Sequence, residues 1–293
     1  MIVPLHTTAP PHGNHSRATV HLDLDGAAQI FSAHGWKWRF TDDPIFDTGL
    51  PRALDFFEHA GIRATLFVIA AEMRDPQKRE LLRDAVARGH EVASHSLTHR
   101  KLTALARDEK RREIFESREQ LAASLGVAVH GFRAPGFEID REILELLDEA
   151  GFAYDSSVFP TRRFARRLGV AGLATSPHRP LVDRPLLELV LPVYRPLPTP
   201  FHPSYSLVFG MWYFGMGMRR FQRTGAPLVL LFHLTDFADP LPRAQLPGSR
   251  AAFFTLSYLS RERKVQRCQQ MLDLVRRDYE VVATERLLGV ATK

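Results

Sequence analysis

Short apolar runs alternate with longer amphipathic segments along most of this chain. The apolar runs predict strands at residues 18–24, 64–69, 91–94, 129–132, 152–154, 186–191 and 227–232. The amphipathic segments predict helices at residues 50–60, from 75–76 to 89, and at 107–125, 141–150 and 261–277. Such alternation predicts one mostly parallel sheet, either open or closed as a barrel.

Turn residues mark the ends of the predicted helices. Asp75 and Pro76 offer an N-cap and a proline at the first helical position, and Gly89 ends that helix. Other predicted helices end at Gly61, Gly126 and Gly151. In parallel α/β folds, reactive side chains gather at the carboxyl ends of the strands. The ends of the predicted strands are therefore the candidate positions for chemistry.

The segment 195–217 has no regular pattern. Several prolines come first, followed at 207–216 by the aromatic and methionine-rich run LVFGMWYFGM. A run of this kind is more typical of a core. The alternative is an apolar wall or a membrane-facing patch for a lipid-bearing substrate, with Trp212 as a candidate substrate contact. Arg219, Arg220 and Arg223 could then meet a phosphate, although an arginine run is usually a solvated face.

The chain is predicted to form one domain. Residues 1–17 are rich in Pro, His and Thr and are expected to be a flexible segment, whereas residues 18–293 contain no repeat and no clear linker. We find neither the pattern of a secretory signal nor an uninterrupted apolar stretch of about 18 residues. The expectation is a cytoplasmic protein that contacts the inner face of a membrane peripherally.

Composition and charge exclude several classes of protein. Apolar residues make up 45% of the chain and charged residues 25%, which is typical of a globular protein and not of a disordered one. One cysteine, Cys268, excludes a disulfide framework and a cysteine-based metal site. The net charge of +6 suggests an anionic partner such as phosphate or a membrane surface. Since no nucleic-acid-binding motif is present, nucleic acid is not expected as a partner.

Four strand ends carry residues suited to catalysis. Asp23 and Asp25 are two residues apart and so lie on one face of a strand, where a cation could separate their charges. In His95-Ser96-Leu97-Thr98-His99, two imidazoles follow a short strand and can reach one metal ion. Arg133 precedes a rigid turn, and His233 ends an apolar strand.

Each motif alone also has an ordinary structural explanation. Asp23 and Asp25 could form a strand-end turn, and His95 could be a core histidine bonded to backbone. Arg133 could belong to a simple ion pair, and His233 could be a buried polar residue. The four motifs in this order are far more specific than any one of them.

At these residues the chain resembles the NodB-homology polysaccharide deacetylases, carbohydrate esterase family four, in a branch with a D-x-D first motif. That family has, in order, an Asp pair, an H-[ST]-x-x-H pair, an R-x-P turn and a late L-x-H, and all four occur here between Asp23 and His233. The resemblance covers roughly residues 18–236. It implies a distorted (β/α)7-type barrel with parallel strands. It also implies a metal-dependent carbohydrate N-deacetylase.

The resemblance further implies a role for each motif residue. Asp25, His95 and His99 would hold a divalent metal, with Zn²⁺ first and Co²⁺, Ni²⁺ or Mn²⁺ as substitutes. Asp23 would be the general base, paired with Arg133. His233 would be the general acid, and by a looser match Asp155 would hold it. The backbone N–H of Gly136, after Pro135, would face the oxyanion. Imidazole suits amine expulsion because it titrates near neutral pH.

Two departures qualify the resemblance. Thr41-Asp42-Asp43-Pro44 resembles the more common first motif of the family, but no apolar strand precedes it and no glycine follows it. The usual tyrosine after the R-x-P turn is Gly136, and the fourth motif lacks its tryptophan. Contacts to the substrate are therefore less well defined than the metal site.

The predicted reaction is removal of an N-acetyl group, or an N-formyl group, from an amino sugar. Without an export signal, a lipid-linked or nucleotide-linked sugar fits better than an extracellular polymer. Two other functions stay open. One is hydrolysis of a non-sugar, cyclic amide on the same fold, and the other is non-catalytic binding of anionic lipid-linked sugars. The oligomeric state is not predicted.

Overall fold

The computed structural model describes residues 16–194 and 199–289, together with the backbone of residues 3–4. Most of the segment 1–17, which is predicted to be flexible, lies outside the described residues, as do residues 195–198 of the irregular segment. Val3–Pro4 form a short strand, and Ser16–Asp23 is the first long one. The flexibility of the N-terminal segment stays a prediction.

Strands and helices alternate over residues 16–155 as the sequence pattern predicts, whereas several short strands follow one another between residues 178 and 200. The strands are β1 (Val3–Pro4), β2 (Ser16–Asp23), β3 (Thr65–Val68), β4 (Glu91–Ser94), β5 (Gly131–Phe132), β6 (Tyr154–Asp155), β7 (His178–Arg179), β8 (Leu187–Glu188), β9 (Val193–Tyr194), β10 (Thr199–Pro200), β11 (Leu228–His233) and β12 (Tyr279–Val281). The helices are α1 (Ala27–Ala33), α2 (Pro44–His59), α3 (Pro76–Ala87), α4 (Arg107–Leu125), α5 (Arg141–Glu149), α6 (Arg162–Arg167), α7 (Pro203–Phe209), α8 (Met211–Gln222), α9 (Ser249–Phe254), α10 (Arg261–Arg276) and α11 (Thr284–Leu288).

One curled sheet organises the molecule. Its strand order is β1-β7-β8-β6-β5-β4-β3-β2-β11, with β12 also paired to β2. The run from β8 to β11 is parallel throughout, whereas β7 pairs antiparallel with β8 and β1 antiparallel with β7. The predicted parallel barrel is therefore confirmed as a half-barrel with helices around it. The antiparallel pairs at one edge were not predicted.

Strand β2 carries polar side chains on one face and apolar side chains on the other. Successive side chains of a strand point to opposite sides. Ala18, Val20 and Leu22 pack in the main apolar core, while the alternating polar side chains Thr19, His21 and Asp23 face the other way and are also buried. This side of the sheet therefore carries a polar column inside the molecule.

The predicted helix ends agree with the structure where the capping residues are clear. Asp75 accepts hydrogen bonds from the backbone N–H groups of Gln77 and Lys78 at the start of α3. Gly126 adopts the left-handed conformation that ends α4. Helix α2 begins earlier than predicted, at Pro44, because Asp43 caps it and Pro51 is accommodated inside it.

The prediction of an irregular 195–217 segment is wrong for its described part. Residues 203–209 and 211–222 form helices α7 and α8, separated at Gly210. The aromatic residues of the run 207–216 divide between the two predicted roles, a part of the core and an exposed apolar surface. Tyr213 and Phe214 are buried, whereas Trp212 is 64% exposed and Phe209 49% exposed. None of the described helices combines the length and apolar character needed to cross a bilayer.

Candidate active site

The parallel register brings the predicted reactive residues to one edge of the sheet. His233 at the end of β11 lies beside Asp23 at the end of β2, and Asp23 in turn pairs with Phe67 of β3. Ser94 at the end of β4 pairs with Phe132 of β5. The residues that follow these positions therefore emerge side by side, as expected for a parallel α/β fold.

Asp25, His95 and His99 form a group that could hold a metal ion. One ligand atom from each lies within 4.8 Å of the others. Asp25 Oδ1 is 3.0 Å from His99 Nε2 and 3.6 Å from His95 Nε2. Asp25 Oδ1 and His99 Nε2 are buried, and neither makes an aligned hydrogen bond to the described residues. Buried polar atoms without partners are rare, so this donor set fits a cation.

Charge coupling within this group agrees with metal binding. Burial raises the pKa of Asp25, but the imidazoles of His99 and His95 lower it overall. Burial lowers the pKa of His95, which favours the neutral form that a metal requires. For His99 the effect of burial is outweighed by Asp25, so its pKa is raised. A cation would therefore have to displace a proton from His99.

The loop between the two histidines is held in an unusual backbone conformation. Ser96 and His99 both have positive φ angles, of 66° and 60°. Ser96 Oγ accepts a hydrogen bond from the backbone N–H of His99 at 3.0 Å, and Glu113 of α4 accepts one from Thr98 N at 2.8 Å. His95 Nδ1 lies 2.8 Å from the carbonyl oxygen of Arg133, to which it donates, leaving Nε2 free for a metal.

Asp23 forms a fully buried ion pair with Arg133. The Arg133 Nη1 donates to Asp23 Oδ1, and the guanidinium lies 3.8 Å from the centre of the Phe67 ring. Arg133 Nε also donates to the carbonyl oxygen of Ser156 at 2.7 Å. Asp23 Oδ2 is left facing His233 Nε2 at 3.9 Å, beyond hydrogen-bond distance. One carboxylate oxygen is therefore held and the other is available.

His233 is held by Ser204 and Asp236, and not by Asp155 as predicted. Ser204 Oγ lies 3.1 Å from His233 Nδ1 and donates to Asp236 Oδ1 at 2.8 Å. Asp236 Oδ2 accepts from the backbone N–H of His233 at 2.9 Å. The sequence signal for Asp236 was its position three residues after His233, where it caps the turn that follows β11.

Asp155 instead belongs to a separate buried pair of carboxyl groups. It accepts hydrogen bonds from Ser157 Oγ at 2.7 Å and Ser157 N at 3.2 Å, and it contacts Glu188. Burial raises the pKa of both Asp155 and Glu188, and the charge of Asp155 adds to the rise for Glu188. The two carboxyl groups are expected to share a proton.

Sequence comparisons find similarity between this chain and known deacetylases. The family model described as polysaccharide deacetylase matches residues 32–154. A chitooligosaccharide deacetylase from Sinorhizobium fredii is 34% identical over 112 residues, which cover 38% of this chain and 50% of that protein. The similarity to the polysaccharide deacetylase family therefore rests on residues 32–154 of this chain. The chain spans half or less of the length of the curated relatives that it matches.

Solved structures with a similar fold cover almost the whole chain. A Mycobacterium smegmatis protein assigned to the polysaccharide deacetylases has a TM-score of 0.68 at 19% identity and covers 99% of this chain and 94% of that one. The PuuE allantoinase has a TM-score of 0.61 at 18% identity, covering 96% of this chain and 92% of that one. At these identities the likeness establishes the fold alone.

The match to the deacetylase model includes Asp42 and Asp43 but begins after Asp23 and Asp25. In the structure Asp43 has a structural role. It accepts from the backbone N–H groups of Ala27 and Phe46 at 2.9 and 3.2 Å, and its other oxygen pairs with Lys78 at 2.7 Å. Asp25, by contrast, lies with His95 and His99. The D-x-D first motif stays a prediction, supported by this placement.

A cavity of about 450 Å³ opens directly beside the candidate metal ligands. Most of its wall comes from apolar side chains of α1, α7 and the α9 region, whereas Asp25, His99, Ser204 and His233 supply polar groups on one side. Its exposed aromatic side chains are Phe209, Phe253 and Phe254. Trp212, predicted as a substrate contact, is not part of this wall; Tyr205 and Phe209 of α7 take that place.

His202 is a further cavity residue that the sequence did not single out. Its ring lies 5.2 Å from that of His233, and its Nδ1 is buried without a hydrogen-bond partner among the described residues. Burial lowers the pKa of His202 strongly, and the neighbouring His233 and Arg133 lower it further. His202 is therefore a neutral group beside the general-acid candidate.

The predicted oxyanion site lies on the turn after β5. Pro135 is buried, and Gly136 has a φ of 60°, which favours glycine. The hydrogen bonds of this turn run from Phe137 N to Ala134 O and from Glu138 N to Pro135 O. Gly136 itself is exposed. Its role toward an oxyanion stays a prediction.

Lys264 supports the turn that carries His233 and is expected to make stability depend on pH. Its Nζ donates to the carbonyl oxygens of Thr235 and Ala238 at 2.8 and 2.7 Å. Burial lowers the pKa of Lys264 to about 8, against the opposing effect of Asp236. Because the unfolded chain holds this proton up to a higher pH, the free energy of unfolding should rise as pH increases from about 8 toward the ordinary value of 10.5.

The size of this effect can be measured against Lys264→Met, which lacks the titrating group. Between pH 7 and pH 10, wild type should gain about 2–3 kcal/mol relative to the variant in urea unfolding. An equal pH dependence of the two proteins would contradict the lowered pKa.

Proposed function

We propose that the protein is a metal-dependent hydrolase that removes an N-acetyl group, or an N-formyl group, from an amino sugar. The observation that carries this proposal is the grouping of Asp25, His95 and His99 beside Asp23 and His233, whose Oδ2 and Nε2 atoms lie 3.9 Å apart. The likeness to a chitooligosaccharide deacetylase supports a sugar amide as the substrate.

The donor set is the one that a catalytic zinc site needs. Two imidazole nitrogens and one carboxylate oxygen make three protein ligands, which leaves a position open for water or substrate. Co²⁺, Ni²⁺ and Mn²⁺ accept the same donors. When bound, such a cation would polarise the amide carbonyl and make a water molecule more acidic.

Asp23 is proposed as the general base. Its Oδ1 is held by Arg133, which fixes the orientation of the carboxylate, so that Oδ2 is the oxygen available to accept the proton of the attacking water. The geometry also separates this role from metal binding, because Asp25 and not Asp23 lies with the two histidines.

His233 is proposed as the general acid that protonates the leaving amine from Nε2. The Ser204 hydroxyl donates a hydrogen bond to Asp236 Oδ1 at 2.8 Å. Its oxygen can therefore accept one from His233 Nδ1 at 3.1 Å. This arrangement directs Nε2 toward Asp23 and the cavity. The negative charge of Asp236 would stabilise the imidazolium. A non-catalytic binder would need no such acid.

The cavity supports a substrate that carries an apolar group beside its sugar. A volume of about 450 Å³ suits a small ligand, and the wall opposite the polar residues is apolar. With a net charge of +6, the surface would attract a phosphate-bearing carrier. A lipid-linked amino sugar at the cytoplasmic face of a membrane fits both features, and a nucleotide-linked sugar fits the charge.

This proposal is tested by the release of acetate or formate from defined substrates. The metal-loaded protein is expected to act faster on a lipid-linked N-acyl amino sugar than on soluble chitooligosaccharide. Phe209→Ser should raise KM for the lipid-linked substrate about tenfold, since it removes an apolar wall contact. Trp212→Ser, which changes an exposed aromatic outside the cavity, is the matched control. Turnover of chitooligosaccharide alone would contradict the lipid linkage.

A small cyclic amide is the second candidate substrate. The observation that favours it is again the cavity, because a volume of about 450 Å³ can hold a small cyclic amide that carries no sugar. The same protein assayed with cyclic amides separates the two proposals, because ring opening releases no acetate or formate.

A further inference from the structure

The polar column on the inner side of β2 continues past the catalytic residues into the interior. Thr19, His21 and Asp23 all lie on the same face of the strand, and all three are almost completely buried. Asp23 is the last residue of the strand, and its Oδ2 faces His233. The other two therefore need a role inside the sheet.

His21 contacts Arg133 directly and Thr284 on its other side. Arg133 Nη2 lies 2.7 Å from His21 Nδ1, and His21 Nε2 lies 3.0 Å from Thr284 Oγ1. Thr284 begins helix α11, more than 260 residues along the chain from His21. A C-terminal side chain is thereby connected to the guanidinium that holds Asp23.

Thr284 is itself held by two more hydroxyl groups. Its Oγ1 lies 2.7 Å from Thr19 Oγ1 and 2.7 Å from Thr65 Oγ1. Thr65 in turn donates to Glu91 Oε2 at 2.6 Å. The set is buried, so each hydroxyl is held by its neighbours and not by solvent.

The chemistry of these groups fixes the direction of the hydrogen bonds. An arginine can only donate, so His21 Nδ1 must accept and the proton of a neutral imidazole must lie on Nε2, from which it is donated to Thr284. Burial lowers the pKa of His21 well below its usual range, and the charge of Arg133 lowers it further. The ring is therefore neutral, with a single tautomer.

We infer that His21 and Thr284 are positioning residues, which set the rotation of the Arg133 guanidinium and through it the orientation of Asp23. Arg133 has two bonds to Ser156, from Nε to the carbonyl oxygen and from Nη2 to Oγ, and one to Asp23. The bond from Nη2 to His21 Nδ1 is the fourth hydrogen bond that opposes rotation of the guanidinium. This inference rests on the proposed role of Asp23 as general base.

Matched pairs of variants separate positioning from simple packing. His21→Leu removes both hydrogen bonds, whereas His21→Asn keeps an oxygen that can accept from Arg133. Thr284→Val removes the hydroxyl at similar volume, whereas Thr284→Ser retains it. His21→Leu and Thr284→Val are expected to lower kcat about 10–100-fold, as loss of supporting contacts does in other sites, with KM and bound zinc unchanged. His21→Asn and Thr284→Ser should recover most of the loss.

An equal loss of kcat in both members of a pair, or a loss of bound zinc instead of kcat, would mean that His21 and Thr284 contribute packing and not positioning.

A second measurement, which needs no variant, is the ¹⁵N NMR spectrum of the wild-type histidines. His21 should be neutral and carry its proton on Nε2 at pH 7, and a ring protonated on Nδ1 would overturn the inference. If wild type shows no turnover while His21 has the expected tautomer, the proposed function fails and the geometry stands. If wild type is active and all four variants equal it, the inference alone fails.

Discussion

Asp23→Asn is expected to lower kcat by about 10²–10⁴-fold, the range that a general base contributes. The asparagine keeps an oxygen that can accept from Arg133, so the buried guanidinium retains a partner and the fold should be preserved. The metal ligands are unchanged, because Asp25, His95 and His99 are separate residues. Bound zinc should therefore equal that of wild type, while acetate release falls.

The matched control for this variant is Asp42→Asn. It makes the same chemical change at an exposed aspartate of the sequence motif that resembles the common first motif of the family. Activity of Asp42→Asn should equal that of wild type. If Asp42→Asn lost activity while Asp23→Asn kept it, the first motif would lie at residues 41–44 and the proposed base would be wrong.

The placement of the reactive residues could be predicted because a parallel sheet leaves few choices. Apolar runs ending in Asp23, Ser94, Phe132 and His233 are strands by their pattern, and parallel strands bring their carboxyl ends to one edge. Asp25 follows from the period of two within an extended chain. The positions of the strands are therefore enough to predict that the candidate metal ligands lie close together.

The partners of these residues could not be predicted in the same way. Ser204 reaches His233 from α7, and Thr284 reaches His21 from α11, so each contact depends on where a helix packs and not on a local pattern. The family resemblance implies, by a looser match, that Asp155 holds His233, yet the side chain of Asp155 turns to Ser157 and Glu188. A strand end fixes the position of a residue but not the partner of its side chain.

The cavity wall illustrates the same limit for apolar residues. The run 207–216 contains four aromatic side chains, and its composition does not say which of them face the interior. Helical geometry divides them, because residues on opposite faces of α8 have opposite environments. Phe214 is buried and Trp212 exposed, while Phe209, at the end of α7, faces the cavity. Predicting two helices there would have been enough to separate these faces.

Removal of one metal ligand is expected to have the other large effect. His95→Ala and Asp25→Ala should each weaken zinc binding by more than the roughly 10–100-fold that loss of a supporting residue causes. The wild-type protein should be stabilised by zinc, by about 2.7 kcal/mol at a concentration one hundred times its Kd, and both variants should lose most of that gain at the same concentration. Activity should fall with the metal.

His59→Ala is the control for the ligand variants, since it removes an exposed imidazole at the last residue of α2 that is not part of the candidate metal group. Its zinc content and its thermal shift with zinc should match wild type. Zinc affinity of wild type should also fall as pH decreases, because the raised pKa of His99 means that a proton competes for the same nitrogen. Full zinc occupancy in both His95→Ala and Asp25→Ala would refute the ligand assignment, and with it the separation of metal binding at Asp25 from base catalysis at Asp23.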